Sequence, residues 1–250
     1  MTEPTARHVV IVQARLGSTR LPGKVLADIG GRTMLERVVR RAQQADRPHE
    51  VVVATTTREE DDAVAAEAER LHLQAFRGDA EDVLGRFARA AEAVSADVVV
   101  RVTADCPFLD ADVLDEVVRA FTESRPPADL ASNVIERTYP RGLDVEVVAT
   151  SALRAADREA RRAHQRSHVT PFLYEHPDRF RLVSVRGDAD HASERWTVDT
   201  AEDLRFAREL CSRLADPDGA GWRDVLAALE REPQLRAINA GVQQKALLEG

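Results

Sequence analysis

The chain has 250 residues and carries 35 lysine and arginine residues against 43 aspartate and glutamate residues, which gives a formal net charge of -8. This length allows a large buried core, and the acidic balance argues against a protein that binds nucleic acid through its phosphates. Two distant cysteines, Cys106 and Cys211, indicate neither a disulfide framework nor a zinc site and favour a reducing, cytoplasmic compartment. The sequence shows no signal-peptide pattern and no apolar run of membrane length, so we expect no contact with a membrane.

The first element in chain order is a predicted strand that runs into a cationic loop. Residues 9–26, VVIVQARLGSTRLPGKVL, begin with apolar β-branched residues and turn polar at Gln13. The loop combines cations with glycines and a proline: Arg15, Gly17, Ser18, Arg20, Pro22, Gly23 and Lys24. Glycines let backbone N–H groups approach a ligand, and cations at the end of a strand suit a polyphosphate. The spacing does not match a Walker A loop, and the alternative is a basic surface turn.

Helices and strands alternate after this loop. Periodicity and capping residues predict helices over 33–45, with Thr33 as the N-cap, over 55–71, capped by a threonine, around a buried stripe at 83–91, and over 112–123. Short apolar runs predict strands over 50–54, 74–76, 97–103 and 129–133. Such an alternation is typical of an α/β fold.

The pattern changes after residue 133. An alternating strand in RTYPRGLDVEVV, a charged helical segment over 151–174 and an edge strand over 180–185 are predicted. We interpret 134–185 as an excursion for acceptor binding or dimer formation within one domain spanning 1–250. A short strand over 195–199, a helix capped by Thr200 and a helical tail over 221–250 complete the chain.

Two aspartates follow predicted strands, Asp105 after 97–103 and Asp199 at the end of 195–199. Ligands of α/β sheets collect at the carboxyl ends of the strands, so we expect both side chains near the cationic loop. Two carboxylates can hold one Mg²⁺ together with phosphate oxygens. Taken singly, each aspartate is as readily explained as a turn former, and Asp199 as a helix cap. The metal hypothesis therefore depends on the loop and both aspartates together.

At the level of motifs, QARLGSTRLPGK resembles the signature loop of the nucleotidyltransferases that activate sugars and sugar acids as CMP conjugates, including the 3-deoxy-manno-octulosonate and acylneuraminate cytidylyltransferases. Motifs similar to the spore-coat polysaccharide type of cytidylyltransferase follow in order: ATTTREEDD, FRGDAEDVLGRF, VRVTADCPFLD, YPRGLDVEV, SHVTPFLYEHP, WTVDTAEDL and EPQLRAINAGVQQK. This resemblance covers nearly the whole chain. It implies a three-layer α/β/α Rossmann-like nucleotidyltransferase fold with a mixed, mostly parallel sheet, with Mg²⁺ as cofactor and CTP as co-substrate.

The same resemblance assigns residues by position. It implies that the triphosphate is bound and its charge stabilised by Arg15 and Lys24, within a nucleotide-binding loop formed by Ala14, Gly17, Ser18 and Arg20. It implies that the metal ligands are Asp105 and Asp199. It also implies that the cytosine lies near Asp82, which is flanked by Arg77 and Arg86.

For the acceptor, we expect Arg141 to grip an anionic group, Asp144 to bond a hydroxyl and His168 to provide a further contact to the anion. The alternatives are that Arg141 and Asp144 pair across a turn, and that His168 caps a helix or lies at a dimer contact. The predicted partners are CTP, a small anionic acceptor and a second copy of the chain.

The predicted reaction is transfer of CMP from CTP to an anionic sugar, sugar acid, phosphate or phosphonate, with release of pyrophosphate. One alternative is a uridylyl- or guanylyltransferase with the same loop, and another is a non-catalytic nucleotide-binding protein. A glycosyltransferase would need a D-x-D metal motif. The strings at 110–112 and 188–190 fit that motif, but the first opens a predicted helix and the second lies in a predicted loop, so both are interpreted as coincidental.

Overall fold

Seven strands form one sheet in the computed structural model, which describes residues 6–244 of the chain. The strands are β1 (His8–Gln13), β2 (Glu50–Thr56), β3 (Ala75–Gly78), β4 (Val98–Thr103), β5 (Leu130–Ser132), β6 (Glu146–Ala149) and β7 (Leu182–Ser184). Their order is β3-β2-β1-β4-β6-β5-β7, and of these strands β6 alone runs antiparallel to both neighbours. The predicted mixed, mostly parallel sheet is confirmed, and the predicted edge strand lies at the edge as β7.

Helices cover both faces of this sheet. They are α1 (Met34–Ala42), α2 (Asp62–Arg70), α3 (Val83–Ala93), α4 (Ala111–Glu123), α5 (Thr150–Glu159), α6 (Ala163–His168), α7 (Pro171–Tyr174), α8 (Ala201–Cys211) and α9 (Trp222–Arg231), with 3-10 turns at Lys24–Leu26, Glu59–Asp61 and Pro233–Ile238. Val10 and Val12 of β1 join the core under α1, α2 and α4, whereas Val9 and Ile11 join the core under α3 and α5. Because both faces are covered, the central strands are apolar throughout.

The strand order changes direction between β1 and β4, which pair in parallel with Gln13 opposite Thr103. In open α/β sheets the crevice at such a point is where ligands bind, at the carboxyl ends of the strands. The cationic loop follows β1 and Asp105 follows β4, so the fold brings both to this crevice. No helix formed by residues 6–244 is long and apolar enough to cross a membrane.

Two predicted helix starts have different outcomes. Thr33 caps α1, since its hydroxyl accepts a hydrogen bond from the Glu36 N–H at 3.0 Å. The threonine cap predicted for the second helix is wrong. β2 continues through Thr56 and α2 begins only at Asp62, after a 3-10 turn, because the threonines complete a buried strand.

The segment 151–174 forms three short helices, α5, α6 and α7, where one helical segment was predicted. Val169 has φ +74°, a conformation outside the helical region, and Pro171 begins α7. A proline cannot donate to the preceding turn, so the chain restarts there. β6 and β7, which flank these helices in the chain, are both strands of the central sheet.

The strand predicted over 195–199 is also wrong. The segment is extended but pairs with loops, since Trp196 N–H donates to the Arg141 carbonyl at 2.8 Å and Val198 N–H donates to the Asp105 carbonyl at 2.8 Å. Trp196 is fully buried in a third core cluster with α8 and α9. This cluster anchors the segment, and Asp199 emerges from it directly before the Thr200 cap of α8. The predicted tail contains α9 and the last 3-10 turn, and residues 245–250 lie outside the described chain.

Candidate nucleotide and metal site

The centre of the site is the ammonium of Lys24, which joins the two predicted metal ligands. Its Nζ lies 2.8 Å from Asp105 Oδ2, 2.9 Å from Asp199 Oδ1 and 2.8 Å from the carbonyl oxygen of Val198. Burial alone would lower the pKa of Lys24, but the charges of Asp105 and Asp199 outweigh it and raise the pKa. The structure therefore brings together three residues that lie 175 positions apart in sequence at their extremes.

Asp105 owes its position to the end of β4. Its Oδ1 accepts a hydrogen bond from the Thr103 hydroxyl at 2.6 Å, and its Oδ2 faces Lys24. Burial raises the pKa of this carboxyl, yet the positive charge of Lys24 overcomes that effect and sets the pKa at about 2. The neighbouring Cys106 is buried, and burial raises the pKa of its thiol well above the usual value. A protonated, buried thiol agrees with a packing role and not with a nucleophile.

Asp199 is not a helix cap, because Thr200 takes that role. Its second oxygen, Oδ2, accepts contacts from Arg20 at 2.9 Å and from Arg195 at 3.0 Å. The negative charge of the carboxylate is thus balanced by Arg20 from the cationic loop and by Arg195 from its own segment. Among the described residues, no three His, Cys, Asp or Glu side chains gather at metal-binding spacing, so the protein offers two carboxylates and not a complete cage.

Sequence reasoning missed the group that holds Asp199 in place. Asp203, on the first turn of α8, is fully buried and accepts bonds from Arg195 Nη2 at 2.9 Å and from the Asp199 N–H at 3.0 Å. Asn239, also buried, donates to Asp203 Oδ1 at 3.0 Å. The spacing from Thr200 to Asp203 was a readable capping signal, since an acid at this position reaches back to the cap. Its further pairing with Arg195 had no local signature.

The cationic loop is closed by backbone contacts. Gly23 N–H donates to the Leu16 carbonyl at 3.0 Å, and Leu16 N–H donates to Asp61 Oδ1 at 2.7 Å. Gly23 has φ +72°, which explains the need for glycine there. Within this loop, Ala14 is buried, Gly17 and Ser18 are half-buried and Arg15 is exposed. Arg15 forms no ion pair with any residue in 6–244, so its exposed positive charge is not compensated within the described chain.

The residues expected near the cytosine have clear structural partners. Asp82 caps α3 by accepting from the Gly85 N–H at 2.9 Å and also pairs with Arg166 at 2.6 Å. Arg77 donates to the Thr56 carbonyl at 2.8 Å and lies 2.6 Å from Asp62. The contacts of Arg77 join the end of β3 to β2 and α2, and those of Asp82 join the start of α3 to α6. The base contacts proposed for Asp82 and Arg77 therefore stay predictions.

Arg86 is different, because it is fully buried and only partly paired. Its Nη1 donates to the Asp79 carbonyl at 2.7 Å, whereas its Nε and Nη2 have no hydrogen-bond partner within the described chain. Burial, followed by the nearby positive charge of Arg15, lowers the pKa of Arg86 to about 10. Unsatisfied buried donors are costly, and those of Arg86 lie next to the cationic loop. A base or phosphate oxygen at this position would satisfy them.

Arg141 and Asp144, which were expected at the acceptor, do not pair with each other across a turn. Asp144 pairs with Arg137 through two bonds of 2.6 and 2.8 Å, and not with Arg141. Arg141 lines a cleft of about 380 Å³ together with residues 192–195, Asn239 and Gln244, and its guanidinium has no ion-pair partner in the described structure. Burial and the charge of Arg137 lower the pKa of Arg141. His168 lies at the end of α6, two residues before Thr170.

The donors at the centre of the site fit a hard divalent cation. Asp105, Asp199 and the Val198 carbonyl present only oxygen atoms, which Mg²⁺ prefers, and Mg²⁺ commonly takes one or two carboxylates and completes its coordination with water and phosphate oxygens. The absence of a third protein carboxylate matches this pattern. Taken together, an α/β/α fold, a cationic loop where the strand order changes direction and two carboxylates beside that loop define a nucleotidyltransferase.

Comparison with known proteins agrees with this class. The cytidylyltransferase family matches residues 9–247. The spore coat polysaccharide biosynthesis protein SpsF of Bacillus subtilis is 32% identical over 231 residues, which cover 89% of this chain and 94% of that protein. A 3-deoxy-manno-octulosonate cytidylyltransferase of Chelativorans is 30% identical over 248 residues, which cover 95% and 87%.

A solved structure shows the same fold over the full length. The cytidylyltransferase from Leptospira borgpetersenii superposes with a TM-score of 0.89 at 29% identity, covering 96% of this chain and 100% of that one. The chain belongs to the cytidylyltransferase family and is a nucleotidyltransferase enzyme.

Proposed function

We propose that this enzyme transfers CMP from CTP to a small acceptor that carries an anionic group, with Mg²⁺ as cofactor. The observation that carries the proposal is the convergence of Lys24, Asp105 and Asp199 beside the cationic loop. The likeness to a 3-deoxy-manno-octulosonate cytidylyltransferase supports CTP as the nucleotide, and the likeness to a spore coat polysaccharide biosynthesis protein supports an activated sugar as the product.

The reaction needs positioning and charge more than covalent chemistry. An acceptor oxygen attacks the α-phosphorus of CTP in line, the bond to the β-phosphate oxygen breaks, and pyrophosphate leaves with that electron pair. Arg15 is exposed and forms no ion pair within residues 6–244, so it is available to the phosphates as charge builds on the leaving group. A bound Mg²⁺ would neutralise phosphate charge between Asp105 and Asp199.

The acceptor is proposed to be anionic because Arg141 is a partly buried cation without an ion-pair partner in the described chain. A phosphate, phosphonate or carboxylate oxygen is already deprotonated at neutral pH and needs no strong general base. We assign acceptor binding to Arg141, with Asp144 and His168 as further contacts, and dimer formation to segment 134–185. Since CTP is a cytoplasmic metabolite, we place the enzyme, as a homodimer, in the cytoplasm.

The nucleotide assignment is tested by measuring pyrophosphate release from CTP, UTP, GTP and ATP with Mg²⁺ and a library of anionic sugars. We expect CTP to be preferred by at least about 100-fold in kcat/KM, as expected when a site's hydrogen-bonding groups are left unpaired by the wrong base. Preference for UTP or GTP would replace the cytidylyl assignment. CTP binding without pyrophosphate release from any acceptor would favour a non-catalytic protein.

Arg141→Ala tests the acceptor site. Loss of a charge-assisted hydrogen bond is expected to raise KM for the acceptor by about 10- to 100-fold, while KM for CTP changes little. The matched control is Arg186→Ala, because Arg186 is exposed and its ion pair within residues 6–244 is with Glu136 at 3.2 Å. An unchanged acceptor KM in the Arg141 variant, or an equal rise in the control, would remove Arg141 from the acceptor site.

A further inference from the structure

Three oxygen atoms surround the ammonium of Lys24 and use all of its hydrogen-bond donors. Nζ lies within 2.9 Å of one oxygen each from Asp105, Asp199 and the Val198 carbonyl. A lysine ammonium has three N–H donors. No donor is left for a phosphate oxygen in this arrangement, so Lys24 must release at least one contact before it can bind a triphosphate.

The same three oxygens form the donor set that suits a hard divalent cation. The Lys24 side chain is 9% exposed, and its ammonium lies between the two carboxylates, within 2.9 Å of an oxygen of each. Two carboxylates that converge on one point repel each other unless a cation lies between them. Lys24 supplies that cation from the protein itself.

The type of residue at this position is informative. The chain contains two lysines, Lys24 and Lys245, and arginine provides the other 33 of its 35 lysine and arginine residues. An ammonium is a compact point charge with donors that can point in three directions, whereas a guanidinium is a planar fork. The compact charge is the one that can take the place of a metal ion among three converging oxygens.

We propose that Lys24 is an internal substitute for the divalent cation in the nucleotide-free enzyme. It keeps Asp105 and Asp199 paired and excludes free metal ions from between them. When the nucleotide arrives, its phosphates provide new acceptors for Lys24, which leaves the carboxylates free for the metal. The metal therefore enters as a metal–nucleotide complex. The identity of that nucleotide rests on the proposed function, but exclusion of the free ion is a property of the protein alone.

The first test is binding of Mn²⁺ to the nucleotide-free protein, measured by electron paramagnetic resonance. Lys24→Met is expected to bind Mn²⁺ about 10-fold or more tightly than the unsubstituted protein, because a competing unit charge is removed from between the carboxylates. The matched control is Arg20→Met, which removes a positive charge that pairs with Asp199 but leaves Lys24 in place. Equal affinity for Mn²⁺ in the unsubstituted protein and the Lys24→Met variant, or an equal gain in the control, overturns the proposal.

The second test needs no substitution of Lys24. With isotope-labelled lysine, the protein gives two side-chain NMR signals, and Lys245→Arg identifies the one from Lys24. We expect the Lys24 signal to stay unchanged with millimolar Mg²⁺ alone and to shift with Mg²⁺ and CTP together. A shift with Mg²⁺ alone contradicts the proposal. If CTP is not the nucleotide, only the second addition fails, so the two failures are distinguishable.

Discussion

Asp199→Asn is expected to lower kcat for CMP transfer by about 10³-fold, the upper range for loss of one electrostatic partner of a reacting phosphate. The amide keeps the shape of the side chain but removes the charge that faces Lys24, Arg20 and Arg195. Raising the Mg²⁺ concentration should recover part of the rate, since Asp105, the other carboxylate proposed as a metal ligand, remains. The rate is measured by pyrophosphate release over a Mg²⁺ series.

The control for this loss is Asp188→Asn. Asp188 is exposed in the loop after β7 and pairs with Arg223 at 3.0 Å, and among the described residues it makes no ion pair with Lys24, Arg20 or Arg195. Its substitution is expected to leave kcat within about twofold, as surface changes usually do. If Asp199→Asn retained the rate of the control at every Mg²⁺ concentration, Asp199 would not be a metal ligand.

Asp203→Ala is expected to lower the free energy of unfolding by about 3 kcal/mol, because the buried Asn239 amide and the Asp199 N–H lose their acceptor while Arg195 keeps Asp199 but loses Asp203 as an ion-pair partner. Asp203 is fully buried and accepts bonds from Arg195, Asn239 and the backbone of Asp199. Urea unfolding followed by circular dichroism measures the change.

Asp224→Ala provides the comparison for this effect. Asp224 has the same position in the first turn of α9 as Asp203 has in α8, and it accepts from the Gly221 N–H at 2.9 Å. Unlike Asp203, it is exposed and makes no ion pair with an arginine of the described chain. Loss of a cap of this kind costs about 1 kcal/mol. Equal losses in the two variants would show that Asp203 acts only as a helix cap and not as the support of Asp199.

The part of the site near β1 could be predicted from the sequence because its signals are local. An apolar strand, glycines and cations within 18 residues already indicated a polyphosphate loop at a strand end, and the helix cap at Thr33 was equally readable. The strand order was not needed for either prediction. Local steric and hydrogen-bonding preferences decide such features, and they survive in the folded protein.

The rest depends on contacts between distant parts of the chain. Asp105 and Asp199 were expected near the cationic loop and Lys24 at the triphosphate, but nothing near Lys24 in sequence indicates that its ammonium would pair with both aspartates. Asp144 had two arginines within seven residues, and only the folded loop shows that it pairs with Arg137. Segment 195–199 has the composition of a strand, but Trp196 is drawn into a core beside the sheet. Tertiary packing overrides local preference in each case.

The contacts of the last described residues have a consequence for biosynthesis. Gln244 accepts from Arg195 at 2.6 Å, and the Gln243 carbonyl accepts from Arg20 at 3.3 Å, so residues 243–244 contact both the cationic loop and the support of Asp199. Every strand of the sheet lies before residue 185 and can be made before these residues leave the ribosome. The sheet can therefore fold during translation before residues 243–244 are made, whereas the contacts of these residues with Arg20 and Arg195 form later.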